Sequence, residues 1–183
     1  MAVVDLSTQD WHNADGLFVR FGADRAIPSR GGEYSRLADG QHMVSVIIDL
    51  ATLPGQAGGN EQIVAENVYI PNGAFITKVR VTVLEEPTEA SGTDSNLDLG
   101  LVDQDRSTEI DFNGLLAAAD AWHAGTDLGT ITEYVKGTTE AGALIGTQIT
   151  NTGLITASSD TDDWTDGTIK VDIEYYKPLT ADL

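Results

Sequence analysis

Apolar and polar residues alternate with a period of two along much of this chain. The clearest case is residues 75–84, which place Phe75, Thr77, Val79, Val81 and Val83 on one side and Ile76, Lys78, Arg80, Thr82 and Leu84 on the other. That period is typical of a pleated strand with one face toward a core. The Pro71-Asn72-Gly73 run just before it predicts a turn, because Pro presets a backbone angle and Asn-Gly tolerates left-handed angles.

Shorter segments of the same kind predict further strands. They are residues 43–50, 97–101, 131–135, 143–149, 154–157 and 168–176. The last is the most regular, with Ile169, Val171, Ile173 and Tyr175 on one face and Lys170, Asp172, Glu174 and Tyr176 on the other. Gly, Thr, Asn and Asp separate these segments, as expected of turns between short strands.

One segment favours a helix. Residues 115–121 are rich in Leu and Ala, and Asn113 is a suitable N-cap, so we predict a short helix near residues 113–121. With many short strands, 19 glycines and little else helical, the fold class predicted is all-β, an antiparallel β-sandwich of the jelly-roll kind.

The first 40 residues differ from the rest in pattern. They show little sustained periodicity and are interrupted by Asp15-Gly16, Pro28, Gly31-Gly32 and Asp39-Gly40. We interpret 1–40 as an extended N-terminal arm and 41–183 as the sandwich body. Two placements of the arm are open: over the chain's own sheet, or docked on a partner.

Charge narrows the choice of partner. The formal net charge is −19, and such a field repels phosphate backbones, so we expect no nucleic-acid partner. The acidity fits solubility or a high-salt habitat as well as it fits a particular partner. Residues 1–40 hold four arginines (Arg20, Arg25, Arg30 and Arg36) against six acids, a net of −2, which leaves −17 for residues 41–183.

Candidate chemistry is sparse. There is no Cys, no secretory signal pattern in the first twenty residues and no apolar run of membrane-spanning length. His12, His42 and His123 are far apart in sequence, no G-x-S-x-G occurs, and Gly55, Gly58 and Gly59 fit no phosphate-binding spacing. We expect no catalytic residues, no metal, no cofactor, no membrane contact and no small-molecule substrate.

Two acidic clusters are the nearest approach to a metal site or a glycosidase carboxylate pair. They are Asp103, Asp105, Glu109 and Asp111, and Asp160, Asp162, Asp163 and Asp166. The first departs from the EF-hand loop, since its sixth and twelfth positions are Thr108 and Gly114 rather than Gly and Glu. We therefore interpret both clusters as solvated loops.

Several segments together resemble capsid decoration, or cement, proteins of tailed bacteriophages. The resemblance runs from Gly16 to Pro178 and is carried by GLFVRFG, GGEYSRL, VSVIIDL, NVYIPNGAFITKVRVTV, LDLGLVD, TEIDFNGLLAA, ALIGTQIT, GLITAS and TIKVDIEYYKP. It implies a β-sandwich virion protein on the outer surface of an icosahedral head. Such proteins commonly form a homotrimer at local three-fold positions and stabilise contacts between subunits of the major capsid protein.

The arm's charge suggests which residues make that contact. Arginines bind carboxylates through charge-assisted hydrogen bonds, so we expect a low-acidity arm to lie along an acidic shell. The expected capsid contacts are Arg20, Arg25, Arg30, Tyr34 and Arg36. An alternative from another class is a carbohydrate-binding or adhesin-like sandwich that uses Trp11, Trp122 or Trp164 as stacking platforms.

Overall fold

The computed structural model describes residues 10–12, 17–20, 32–36, 41–54, 61–89, 95–119, 127–159 and 164–177. For the first three ranges it describes only the strands and their pairing. The described ranges contain twelve strands: β1 Asp10–His12, β2 Leu17–Arg20, β3 Gly32–Arg36, β4 Gln41–Asp49, β5 Gln62–Ile63, β6 Tyr69–Ile70, β7 Phe75–Glu89, β8 Leu97–Asp103, β9 Glu109–Ala119, β10 Ile131–Val135, β11 Gly153–Ser159 and β12 Trp164–Tyr176. A 3₁₀ turn, Leu50–Thr52, follows β4. Nowhere in these ranges is there a helix long and apolar enough to cross a membrane.

The strands form two antiparallel sheets arranged as a sandwich. The first sheet has seven strands in the order β1-β2-β3-β4-β12-β7-β10, and the second has the order β5-β11-β8-β9, with β6 also paired to β11. From β4 onward the chain passes repeatedly between the sheets: β4, β7, β10 and β12 belong to the first, and β5–β6, β8–β9 and β11 to the second. β12 inserts between β4 and β7. This is the connectivity of a jelly roll, so the predicted all-β fold class is confirmed.

The core lies between the sheets and takes one face of each long strand. β4 buries Val44, Val46 and Ile48 while the residues between them stay partly exposed. β12 buries Ile169, Val171, Ile173 and Tyr175, so the predicted facing of this strand is confirmed. The second sheet contributes five leucines to the other side of the core: Leu97, Leu99, Leu101, Leu115 and Leu116.

The predicted facing of β7 is wrong at its start. Ile76 is fully buried and Phe75 is 41% exposed, the reverse of the expected arrangement. The register with β12 passes from Lys78 opposite Glu174 directly to Ile76 opposite Tyr175, so Thr77 is an extra residue in β7. Such a bulge inverts the facing of every residue before it. The Thr77 hydroxyl donates a 3.0 Å hydrogen bond to the Glu174 carbonyl.

The predicted turn before β7 forms, with Gly73 at a φ of 82° and Ala74 N–H donating to the Pro71 carbonyl at 3.0 Å. It carries the chain from β6 in one sheet to β7 in the other, instead of closing a hairpin. β7 also continues to Glu89, five residues beyond the predicted segment 75–84. Pro87 is accommodated because the register with β12 shifts in this region, and a bulged stretch does not need its N–H.

The predicted helix near residues 113–121 is wrong: residues up to 119 belong to β9, and residues 120 and 121 lie outside the described ranges. Hydrogen bonds on both edges hold this segment extended. The Ala118 N–H donates to the Asp98 carboxylate at 2.7 Å, and the Ala117 N–H donates to the Glu140 carbonyl at 2.9 Å. Tertiary pairing thus overrides the helical propensity of Leu and Ala.

The strand predicted at 143–149 is also wrong, because this segment forms turns. The Ile145 N–H donates to the Gly142 carbonyl at 3.2 Å, and Gly146 has a φ of 76° that few other residues adopt. Its apolar residues still reach the core, since Ile145 and Ile149 are buried. The remaining predicted strands correspond to β4, β8, β10, β11 and β12.

The first 40 residues contribute strands to the seven-stranded sheet. β3 pairs with β4, β2 with β3, and β1 with β2, all antiparallel. The division into an arm, 1–40, and a body, 41–183, stays a prediction.

A glycine in β8 provides a test of how closely the second sheet is packed. A Cβ on Gly100 would lie 2.2 Å from backbone atoms of Asp111 and Phe112, so Gly100→Ala should lower the free energy of unfolding by about 3 kcal/mol in urea denaturation. Gly137→Ala is the control, because its added Cβ meets nothing within 4 Å and only its φ of 90° opposes the change. We expect it to cost about 1 kcal/mol. Equal costs would contradict the close approach of β8 and β9.

Candidate interaction surface

The outward face of the seven-stranded sheet carries a network of ionised side chains. Ser45, Asp172, Arg80 and Glu133 form one cross-strand row on β4, β12, β7 and β10. The neighbouring rows are Met43, Glu174, Lys78 and Val135, and Ile47, Lys170, Thr82 and Ile131. We call these three rows the ion-pair face.

Two carboxylates of β12 lie beneath this network and are nearly buried. Glu174, whose side chain is 9% exposed, is 3.2 Å from Lys78 Nζ and 3.6 Å from Arg80 Nη2, and it accepts a 2.5 Å hydrogen bond from Gln41. Asp172 accepts from the Ser45 hydroxyl at 2.5 Å and lies 2.9 Å from Lys170 Nζ. Burial of a carboxylate destabilises the folded state unless a cation is paired with it. Lys78, Arg80 and Lys170 therefore stabilise the fold.

Glu133 of β10 completes the network at its solvent side. Its Oε1 lies 2.8 Å from both Nε and Nη2 of Arg80 and 3.4 Å from Lys78 Nζ. The hydrogen bond between Glu133 and Arg80 raises the pKa of the guanidinium and lowers the pKa of the carboxyl. Both groups are therefore held in their charged forms.

The ion-pair face has no formal net charge. Its three cations, Lys78, Arg80 and Lys170, match its three acids, Glu133, Asp172 and Glu174, whereas the whole chain carries −19. A locally neutral region is where a strongly acidic protein can approach another surface with least repulsion. The rest of the charge lies elsewhere on the chain.

Exposed aliphatic side chains lie on and beside β10, two of them within the ion-pair face and two next to it. They are Ile131 (59% exposed), Val135 (45%), Leu84 of β7 (41%) and Leu128 in the turn that precedes β10 (71%). We call these four residues the aliphatic edge. A cluster of exposed apolar side chains is a feature of protein contact surfaces.

The predicted capsid-contact residues that the structure describes lie on β2 and β3, toward the edge of the seven-stranded sheet that is farthest from β10. Arg20 is the last residue of β2, in register with Asp10, while Tyr34 and Arg36 belong to β3, opposite Val44 and His42 of β4. Arg25 and Arg30 lie outside the described residues. The role of these five residues in capsid contact stays a prediction. The alternation of apolar and polar residues could not have revealed the ion-pair face, because its three rows depend on how residues of different strands pair.

The first acidic cluster is used to shape the turn between β8 and β9. The Asp105 carboxylate accepts hydrogen bonds from the Thr108 hydroxyl at 2.5 Å and from the N–H groups of Thr108 and Ser107 at 2.7 and 2.8 Å. Asp103 accepts a 3.0 Å bond from Asn151. Among the described residues no group of three or more His, Asp or Glu could hold a metal ion; Asp160, Asp162 and Asp163 lie outside them.

The second sheet carries an open groove of about 500 Å³ on its outward side. Glu66 and Arg106 pair at 3.2 Å among its lining residues, and Phe112 is the aromatic residue lining it. Trp164 is buried, so it is no platform for a sugar, while Trp122 and the side chain of Trp11 lie outside the description. His42 stacks on Tyr175 with ring centroids 5.4 Å apart, which is the packing role expected of a structural histidine.

The buried ion pairs give a direct test of the face. Replacing Lys78 and Arg80 together with Met leaves Glu174 nearly buried without a cation, so we expect a loss of about 3 kcal/mol in the free energy of unfolding. The control is Arg106→Met, which removes the exposed pair with Glu66 and should cost less than about 1 kcal/mol. Adding Glu174→Gln to the double variant should recover part of the loss. Similar costs for the two sites would contradict the buried pairing.

The turn carboxylate gives a test by titration. Hydrogen bonds from the Thr108 hydroxyl and then from the Thr108 and Ser107 amides lower the pKa of Asp105 from 3.8 to about 2. Since folding lowers this pKa, the stabilisation is present above pH 3.8 and is lost as the pH falls through about 2. Carboxyl NMR should show Thr108→Val raising the pKa and Ser107→Ala leaving it low. An unchanged pKa in Thr108→Val would contradict this assignment.

Comparison with known proteins identifies the fold. No protein-family model matches the chain, and no curated protein sequence matches it. A chain of the cyanophage Pam1 capsid asymmetric unit is similar in structure, with 16% identity, a TM-score of 0.51, and coverage of 79% of this chain and 94% of that chain. A chain of the acid-stable capsid of Helicobacter pylori bacteriophage KHP30 (13%, 0.48, 81% and 93%) and one of the Ralstonia phage GP4 capsid (14%, 0.45, 75% and 86%) are more distant. The likeness to the Pam1 chain is one of fold.

Proposed function

We propose that this protein is a structural component of a bacteriophage virion. It binds the outer surface of the icosahedral head as a decoration protein and stabilises contacts between subunits of the major capsid protein. The observation that carries the proposal is the fold shared with a chain of the Pam1 capsid asymmetric unit. Because 79% of this chain corresponds to 94% of that one, the matched chain is the shorter of the two, the size of a small accessory subunit.

The surface chemistry supports adhesion rather than catalysis. The polar groups of the ion-pair face are committed to one another at 2.5–3.6 Å, which leaves them little capacity to act on a substrate. Its apolar border offers area for contact instead. Cementing needs area multiplied over many copies, since a stable contact removes roughly 800 Å² from water on each partner.

The arginines of residues 1–40 are the proposed contacts with the shell. The net charge of this segment is −2, so an acidic shell repels it less than it repels the body. β1, β2 and β3 place Arg20, Tyr34 and Arg36 on the strands at one end of the seven-stranded sheet. We expect Arg25 and Arg30 to join them, and we expect a homotrimer on the head, as the sequence resemblance implies.

The experiment is an addition assay. Purified protein is mixed with heads assembled without it, from the capsid genes that accompany its own gene, and bound protein is measured after sedimentation. The wild type should saturate the heads at a fixed number of copies. Changing Arg20, Arg25, Arg30 and Arg36 to Ala together should weaken binding at least about tenfold and reduce its salt dependence.

The control replaces two exposed bases away from both proposed contacts, Arg106 and Lys177, with Ala, and should bind as the wild type does. Heads that stay bare at high protein concentration would contradict the proposed function. Undiminished binding of the four-arginine variant would instead remove these arginines from the contact and leave the function standing.

A further inference from the structure

We propose that the aliphatic edge is an interface between two copies of this chain, which pair antiparallel through β10 across a two-fold axis. This inference stands apart from head binding, because it concerns the protein alone. It names a contact that the expected three-fold arrangement does not specify. Three observations lead to it: a sheet edge that has no further strand partner in the described part of the chain, a neutralised charge on β10, and exposed aliphatic side chains.

β10 is the last strand of the seven-stranded sheet and pairs only with β7 in the described part of the chain. The Val83 N–H donates to the Thr130 carbonyl at 3.0 Å, which fixes the alternation of the ladder. Thr132 and Tyr134 then bond to β7, so the N–H and C=O groups of Ile131 and Glu133 point away from it. These two residues present an open template for another strand.

Soluble proteins usually protect such an edge with a charge that prevents pairing. The charged residue of β10 is Glu133, and Arg80 and Lys78 hold it at 2.8 and 3.4 Å and neutralise it. Ile131 and Val135, on either side of it, are 59% and 45% exposed. β10 itself is thus a largely apolar strand whose one charge is neutralised, on a chain of charge −19.

The charge pattern favours a second copy over a basic partner. A basic partner would be drawn to unpaired carboxylates, whereas those of the ion-pair face already have cations of their own chain. Two identical acidic chains, by contrast, can meet only where each is neutral. In charge, the surface is therefore compatible with the same surface on a second copy.

The free backbone groups select one register. If Ile131 of each copy lies opposite Glu133 of the other, the N–H and C=O groups of both residues are satisfied by four hydrogen bonds. Thr132 then faces Thr132 of the second copy on the axis. Val135 lies diagonally beside Ile131 of the second copy.

The test reverses the sign of one charge at an exposed site. Ile131→Glu places a carboxylate opposite Glu133 of the second copy, whereas Ile131→Lys removes the same apolar area but places a cation there. In sedimentation velocity the wild type should form dimers. Ile131→Glu should raise the dissociation constant at least about tenfold, and Ile131→Lys should stay within about threefold of the wild type. Circular dichroism checks that both variants fold.

Cross-linking tests the register separately. The chain has no Cys, so Thr132→Cys provides a single thiol on the axis, at a Cα separation of about 4.5 Å that suits a disulfide. Oxidation should give covalent dimers, while the control Thr150→Cys, an exposed site away from β10, should not. A wild type that stays monomeric in solution at every concentration, or equal effects of Glu and Lys at residue 131, would overturn the pairing. None of these results depends on whether the protein binds heads.

Discussion

The rest of the structure depends on the pairing of β12 with both β4 and β7. This thirteen-residue strand is the last one in the described part of the chain, yet it lies in the interior of the larger sheet. Its inward side chains form part of the core, and its backbone joins the first half of the chain to the second. Because these pairings are far apart in sequence, the sandwich closes only when the C-terminal strand is in place.

The outward side of β12 imposes a second constraint. Asp172 and Glu174 lie in the centre of a seven-stranded sheet, where neighbouring side chains cover them. Carboxylates in that position require cations close by: the register with β7 brings Lys78 and Arg80 to Glu174, and Lys170 lies two residues before Asp172 on the same strand. The neutrality of the ion-pair face thus follows from the requirement to fold. Because this face is neutral, two acidic molecules can come into contact there with little repulsion.

The sequence was informative wherever one periodicity governed a whole strand. The two faces of β12 and the all-β class followed from alternation alone, as did the presence of β10. Alternation failed where a bulge intervened, as at Thr77, because a single extra residue inverts the facing and leaves no mark in the residue pattern. Leu115 and Leu116 suggested a helix because the hydrogen bonds that keep them extended come from residues 98 and 140–144. The ion pairs that Lys78 and Arg80 make with Glu133 and Glu174 were likewise hidden, since these residues lie on different strands and are about 50 to 100 positions apart.

The order of the larger sheet places its two proposed contacts at opposite ends. Five strand spacings of about 4.8 Å separate β2 from β10 and four separate β3 from β10, so the arginine-bearing strands and the aliphatic edge are roughly 20–25 Å apart. A twist of about 20–25° per strand turns one edge through more than 100° relative to the other. One edge can therefore lie along a shell while the other faces a neighbouring copy, and occupation of either leaves the other accessible. A single twisted sheet is in this way sufficient to link a surface to a second molecule without a hinge or a second domain.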